Sequence, residues 1–395
     1  MDATPFTLTP GTRLLHIGPH KTGTTSLQGA FHRLRAELAA HDVVYAGKGR
    51  QAKEPAVALT RACRPAPGAP GASSPWDALC AETAAAGDRR VVISSEFFSN
   101  ADADAARTAV RDLGGSPAVH VVVTLRPLLR ILPSHWQQYV KHGLCHSYED
   151  WLDGVLRRPM EDCPTPEFWH RHRHDALLER WADAAGLENV TVVVVDDAEP
   201  RRLFRAFENL LGLPEGILVP DGGGLNKSLT LCQAELLLQL NRRLADPAWA
   251  GWPRKAIVRE AVVPHMQAYT PCPGEPRITT PAWAEEAAAG MAEEIVAGIS
   301  ALGVRVIGDL ATLTPEPCGA ADPVTPTSIP TAAAVEAILG GITAGSTLTR
   351  TRPAKPRPGT VEDRPVSKVP AADLLRIVGR RGLRRLRREL PGGRR

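Results

Sequence analysis

Leu14-Leu15-His16-Ile17-Gly18-Pro19-His20-Lys21-Thr22-Gly23-Thr24-Thr25-Ser26-Leu27-Gln28 is the stretch on which the fold turns. An apolar run ends at Ile17, a short turn carries Lys and Gly, and a helical pattern opens on Thr24, Thr25 and Ser26. The first turn of a helix offers N–H groups with no intrahelical acceptor and the positive end of the helix dipole, so it holds phosphate. Gly23 lets the backbone approach an anion, Lys21 can reach a phosphate oxygen, and the hydroxyls after it add donors. The order is not that of the Walker loop, where Lys follows the second Gly and is itself followed by a Mg²⁺-binding Ser or Thr; here Lys21 precedes Gly23. The plainer alternative is a Ser/Thr-capped helix start after a tight turn.

Working outward, short β-branched runs at 13–17, 43–45, 91–95, 119–125, 190–195 and 304–307 alternate with helical patterns at 24–40, 101–113, 128–142, 203–211, 229–244 and 281–302. The last of these helices reads with Thr280 as N-cap and Pro281 at its first position. Strand–helix alternation with apolar strands predicts an α/β fold: a parallel β-sheet with helices on both faces, a three-layer sandwich of the P-loop nucleotide-binding kind. Ligands of such sheets sit beyond the carboxyl ends of the strands, so the turns after Ile17, Ser95 and Leu125 share one mouth.

The phosphate loop resembles the 5′-phosphosulfate loop of the sulfotransferases, P-K-x-G-T-T, with His20 inserted between Pro19 and Lys21. The resemblance implies a donor, 3′-phosphoadenosine-5′-phosphosulfate (PAPS), held by Lys21, Thr22, Gly23, Thr24, Thr25 and Ser26, with no metal required. That donor carries a separate 3′-phosphate. In the family an Arg at a strand end and a Ser on the next helix bind it, which maps onto Arg126 and, eight residues later, Ser134. Arginine suits the role because its planar fork pairs with phosphate at two points; Arg130, one turn on, is placed to assist. The resemblance spans about residues 11–310 and includes Trp136-Gln137-Gln138, Lys141-His142-Gly143 and Asn226-Lys227-Ser228. The Arg-Lys-Gly segment of many cytosolic members is absent, and Asn226-Lys227-Ser228 is the stretch that would substitute for it.

An acceptor hydroxyl attacking sulfur must lose its proton to a positioned base. Glu96, just past the 91–95 strand, is the first candidate, since several carbohydrate and protein sulfotransferases use a glutamate; a capping or ion-paired glutamate is the alternative. His20, inside the loop, is the rival base, with a structural role equally open. With Lys21 these make up the expected catalytic set. The acceptor is a hydroxyl of a carbohydrate, lipid or secondary metabolite, its pocket built from the loops at 48–76, 143–175 and 245–275. A P-loop kinase or nucleotide hydrolase, and a non-catalytic binding protein on the same fold, are the competing functions.

Other features receive blander readings. His170, His172 and His174 alternate with arginines and read as a solvated surface rather than a metal site. His120 reads as a core or sheet-edge histidine, Asp196 and Asp197 as caps of the turn after the fifth strand, and Trp136 and Tyr139 as pocket lining or core.

The 395 residues hold 47 Lys+Arg against 43 Asp+Glu, and a net charge of +4 is too mild to imply nucleic acid. The charge is uneven: residues 373–395 carry nine Arg against Asp373 and Glu389, a net +7, so the rest is slightly acidic. The domains read as a body at 1–310, a largely disordered Pro/Thr/Ala-rich linker at 311–372 with little periodic apolar content apart from 332–342, and a basic amphipathic helix at 373–395. That tail reads as a solvated end, as a helix lying on an anionic membrane surface, or as a contact for a protein partner or nucleic acid. Seven widely spaced cysteines without C-x-x-C argue against a disulfide framework or zinc site and for a reducing compartment. With no signal-peptide pattern in residues 1–12 and no apolar run near the ~18 residues of a membrane span, the expected setting is the cytoplasm, with the inner membrane surface open through the tail.

Overall fold

The computed structural model describes residues 6–60, 74–220, 228–314, 326 and 328–351. Asn226, Lys227, the 373–395 tail and most of the 311–372 segment lie outside the described residues.

Six parallel strands form one sheet: β1 (Arg13–Gly18), β2 (Val43–Tyr45), β3 (Arg90–Ser94), β4 (Val119–Leu125), β5 (Val190–Val194) and β6 (Arg305–Ile307). Their order across the sheet is β2-β3-β1-β4-β5-β6. Helices cover both faces, which is why β4 is buried along its whole length and reads Val-His-Val-Val-Val-Thr-Leu without alternation. The helices that matter below are α1 (Thr24–Arg33), α2 (Arg35–Ala39), α3 (Ala103–Asp112), α4 (Leu128–His142), α5 (Glu167–His172), α6 (His174–Ala185), α7 (Arg201–Leu211), α8 (Leu231–Leu244) and α9 (Ala282–Leu302). On one face the core joins Leu14, Val92, Val122 and Val193 of the central strands to Leu27 and Phe31 of α1 and Phe207 and Leu210 of α7. The α/β parallel-sheet architecture expected from the alternation of strands and helices is therefore present.

The chain leaves β1 to one side for β2 and β3, then passes back to β4 on the other. This reversal flanks β1 and opens a crevice at its carboxyl end, where ligands of such sheets bind. The register of β1 against β4 slips between His16 and Gly18, so the strand bends out of the ladder as it enters the loop. Gly18 has φ 83, and a Cβ there would sit 2.8 Å from Cβ and 2.9 Å from Cα of Glu96. Only glycine allows the loop and the turn after β3 to pass this closely.

Several helix boundaries shift by a residue or two from the pattern in the sequence, and two differences have a physical reading. The 24–40 helix is two helices, broken where Leu34 leaves helical geometry (φ -94, ψ 18), with no Gly or Pro to mark the break. Helix α9 takes Pro281, not Thr280, as its N-cap, because the Thr280 hydroxyl is engaged with Tyr148 Oη at 2.9 Å. Within the stretch read as linker, Thr331–Thr351 is helical (α10).

Among the described residues, 253–265 and 336–351 belong to a second unit, distinct from the unit that holds the sheet. In its described part Gly340 of α10 runs against the backbone of Val262, where a Cβ would lie 2.6 Å from Cα, and His265 Nδ1 lies 3.4 Å from a Glu336 carboxylate oxygen. No helix of the described residues is long and apolar enough to cross a membrane.

The close approach at Gly18 is testable. Gly18→Ala is expected to destabilise the chain by about 2–3 kcal/mol, from left-handed strain plus the clash with Glu96. Gly87→Ala, at φ 63 with open space around it, should cost only about 1 kcal/mol. Urea denaturation of both variants measures the difference, and equal costs would contradict the steric account.

Candidate functional site

The three turns at the carboxyl ends of β1, β3 and β4 meet around one cleft of about 690 Å³. Its lining brings together His20, Lys21, Gly23, Thr24, Thr25, Ser26, Glu96, Arg126 and Ser134, nine of the ten site residues expected from sequence. The tenth, Thr22, is not among the lining residues: its side chain is buried and turned inward. The Thr22 hydroxyl donates to Pro19 O at 2.7 Å and stands 2.7 Å from Thr124 Oγ1, so it fastens the loop to β4 instead of offering a hydroxyl to the cleft.

The loop backbone is built for close approach. Lys21 and Gly23 both take positive φ, 70 and 82. Gly23 is the N-cap of α1 and no side chain caps the helix, nor does an acidic residue occupy its first turn. The N–H groups of Thr24, Thr25 and Ser26 thus open into the cleft unneutralised. An anion is their natural partner.

Side chains around this helix start extend the same preference. Lys21 Nζ donates to Gln138 Oε1 at 3.4 Å, and Lys141 lines the cleft one helical turn beyond Gln137 and Gln138. Burial pushes Lys141 down to about 8, and the charge of Lys21 pushes the same way. Lys21 is also lowered by burial, an effect that Glu96 opposes. Two ammonium groups crowd one desolvated cleft in which Glu96 is the lone carboxylate among the lining residues. A bound anion would relieve both. Sequence reading left Lys141, Gln137 and Gln138 without a role. The signal was present in the spacing 134, 137/138, 141, which puts them on one face of α4 with Ser134.

Arg126 and Ser134 also line a second cleft of about 1080 Å³ that shares Gln137 and Ser228 with the first. Arg126 Nη2 donates to both carboxylate oxygens of Asp197, at 2.7 and 2.6 Å. Asp197, read from sequence as a turn cap, is therefore an ion-pair partner; Asp196 does cap, accepting from Ala198 N at 2.8 Å.

Glu96 opens a 3₁₀ turn, Glu96–Asn100, capped by Ser95. Its carboxylate accepts from neutral amides, Gln28 Nε2 at 3.1 Å and Gln51 Nε2 at 3.4 Å. Gln51 and Arg50, which also line the cleft, come from one of the loops assigned to the acceptor. His20 Nδ1 is 3.9 Å from Glu96 Oε1, beyond hydrogen-bond reach. Burial, then the charges of Arg171, Lys21, His142 and Lys53, holds His20 well below the usual imidazole range. It stands neutral at pH 7, its ring edge against Phe97.

The histidine trio needs a second correction. Instead of lying on a solvated surface, His172 and His174 are buried where α5 meets α6, and His170 is half-buried with Nε2 3.2 Å from Asn100 O. His172 Nε2 meets His135 Nε2 at 2.9 Å and its Nδ1 meets His174 Nε2 at 3.4 Å. The intervening arginines suggested solvent, yet Arg173 is drawn out to Asp175 and Glu294 while the histidines turn in. Burial lowers all three partners of this row. Among the described residues no group of His, Cys, Asp and Glu is placed to hold a metal ion. His120 is a core histidine, 2.8 Å from Thr191 Oγ1, and Trp136 is core, donating to His146 O.

No protein-family model matches the sequence, and no curated protein matches it. Among solved structures the chain is similar to the crystal structure of a sulfotransferase from Alicyclobacillus acidocaldarius, at 17% identity and a TM-score of 0.36. The match covers 60% of this chain and 95% of that one.

Competitive acylation read by mass spectrometry tests the electrostatics. Lys141 is expected to titrate with a midpoint near 8, and its midpoint should rise when Lys21→Gln removes the neighbouring charge or when pyrophosphate fills the cleft. Titration in the ordinary lysine range, insensitive to Lys21, would contradict the cleft described here.

Proposed function

We propose that the chain is a sulfotransferase that binds PAPS and passes its sulfuryl group to an acceptor hydroxyl by in-line displacement. The observation that supports this reading is the gathering, in one cleft, of the helix start with Lys21 and Lys141, of Arg126 with Ser134, and of a carboxylate, Glu96, held by neutral amides. The helix start with Lys21 and Lys141 suits the 5′-phosphosulfate, Arg126 with Ser134 suits the 3′-phosphate, and Glu96 faces the same space.

In this scheme the acceptor proton passes to Glu96 as the acceptor oxygen attacks sulfur. The bond from sulfur to the bridging phosphate oxygen breaks, and the product nucleotide, 3′-phosphoadenosine-5′-phosphate (PAP), leaves with that electron pair. Lys21 and the N–H groups of Thr24–Ser26 stabilise the growing negative charge where it appears. Lys141 adds to the same field. Gln28 and Gln51 hold Glu96 by its two oxygens and fix its direction, while neutral His20 remains a neighbour rather than the base. The acceptor enters past Arg50 and Gln51.

Calorimetry with PAP, ADP and ATP, with and without Mg²⁺, tests the donor. Micromolar binding of PAP, stronger than that of ADP and independent of Mg²⁺, is the expected result. Arg126→Ala should weaken PAP by about ten- to a hundredfold while leaving ADP nearly unchanged, the loss of a charge-assisted pair. Lys21→Ala should weaken both. Preference for ATP with Mg²⁺ would overturn the reading in favour of a kinase or nucleotide hydrolase.

A further inference from the structure

We infer that Asp197 is a built-in competitor for the 3′-phosphate, setting how tightly Arg126 holds the nucleotide and how readily the spent nucleotide leaves; the inference rests on the function proposed above. Arg126 is one of four residues, with Ser134, Gln137 and Ser228, that line both clefts, and its Nη2 is occupied by both oxygens of Asp197 at 2.7 and 2.6 Å. The pair takes one nitrogen of a five-donor group; Arg126 Nε is buried with no partner. A phosphate that engages this guanidinium arrives within about 5 Å of the Asp197 carboxylate if the pair persists, and like charges at that separation repel appreciably in a partly screened cleft.

The carboxylate has a second place to go. Arg130 Nε already lies 3.9 Å from Asp197 Oδ2, and its side chain is 69% exposed and free to approach. Asp197 follows β5 in a turn whose backbone is pinned by Asp196 through Ala198 N, so a side-chain swing from Arg126 to Arg130 needs no movement of the strand. The 3′-phosphate then replaces one carboxylate on Arg126, and its net gain is reduced by the pair it breaks. A nucleotide that lacks the 3′-phosphate leaves the pair intact and is indifferent to it. Donor and spent product carry the same 3′-phosphate, so the competitor acts on both and limits trapping by the product.

The test measures PAP and adenosine 5′-phosphate binding by calorimetry, and PAP dissociation by stopped flow, for the wild type, Asp197→Asn, Arg126→Ala and the double variant. Asp197→Asn is expected to tighten PAP about three- to tenfold and slow its release by a similar factor, as removal of one nearby like charge should. Adenosine 5′-phosphate should bind unchanged, and in the Arg126→Ala background Asp197→Asn should no longer tighten PAP. If the wild type prefers PAP to adenosine 5′-phosphate but Asp197→Asn binds it equally or more weakly, Asp197 is an ordinary support of Arg126 and the inference fails alone. A wild type with no preference for the 3′-phosphate removes the proposed function and the inference with it.

Discussion

Thr124 Oγ1 stands 2.7 Å from Thr22 Oγ1 and 3.2 Å from His16 Nε2, and His16 Nδ1 stands 2.8 Å from Ser94 Oγ. Gln28 Nε2 reaches both that Ser94 hydroxyl and Glu96 Oε2, at 3.2 and 3.1 Å. One buried hydrogen-bond chain therefore runs from the turn after β1 to the Glu96 carboxylate across the ends of β4, β1 and β3. Its polar members lie in an apolar sheet, where each unmet donor or acceptor would be costly, so the network is satisfied as a whole or not at all. Burial holds His16 down to about 3, hence neutral, with one N–H to give and one nitrogen to receive. A neutral imidazole is suited to joining two hydroxyls without adding charge to a cleft already rich in cations.

The sheet and the loop were legible because their signals are local. An apolar run seven residues long, Val119–Leu125, can be buried on both faces only in a covered parallel sheet, and Lys21, Gly23 and Thr24 fall within four residues of one another. Glu96, Arg126 and Ser134 could be placed because strand ends share one edge of such a sheet. Where contacts join distant segments the sequence was silent. The inward turn of Thr22 depends on Thr124, 102 residues away, and the pairing of Arg126 with Asp197 spans 71. The histidine row misled for a different reason. Alternating Arg and His imitates a wet surface, but helical geometry sends the two residue types in different directions. The break at Leu34 carries no local mark at all.

The electrostatics set a direction on the cleft. Helix N–H groups, Lys21, Lys141 and Arg126 all ask for negative charge, and the carboxylates nearby are either held by neutral amides, as Glu96 is, or committed to an arginine, as Asp197 is. A ligand with a phosphate at each end satisfies that arrangement better than a singly charged one. The Gly18 contact keeps the geometry narrow, since loop and carboxylate can share the crevice only if the residue between them has no side chain.

A crystal structure of the chain with PAP bound is the most direct test of the central claim. The account predicts the 5′-phosphate against the N–H groups of Thr24–Ser26 within reach of Lys21, and the 3′-phosphate between Arg126 and Ser134 with Asp197 displaced toward Arg130. A nucleotide bound elsewhere, or a 3′-phosphate that touches neither Arg126 nor Ser134, would contradict it.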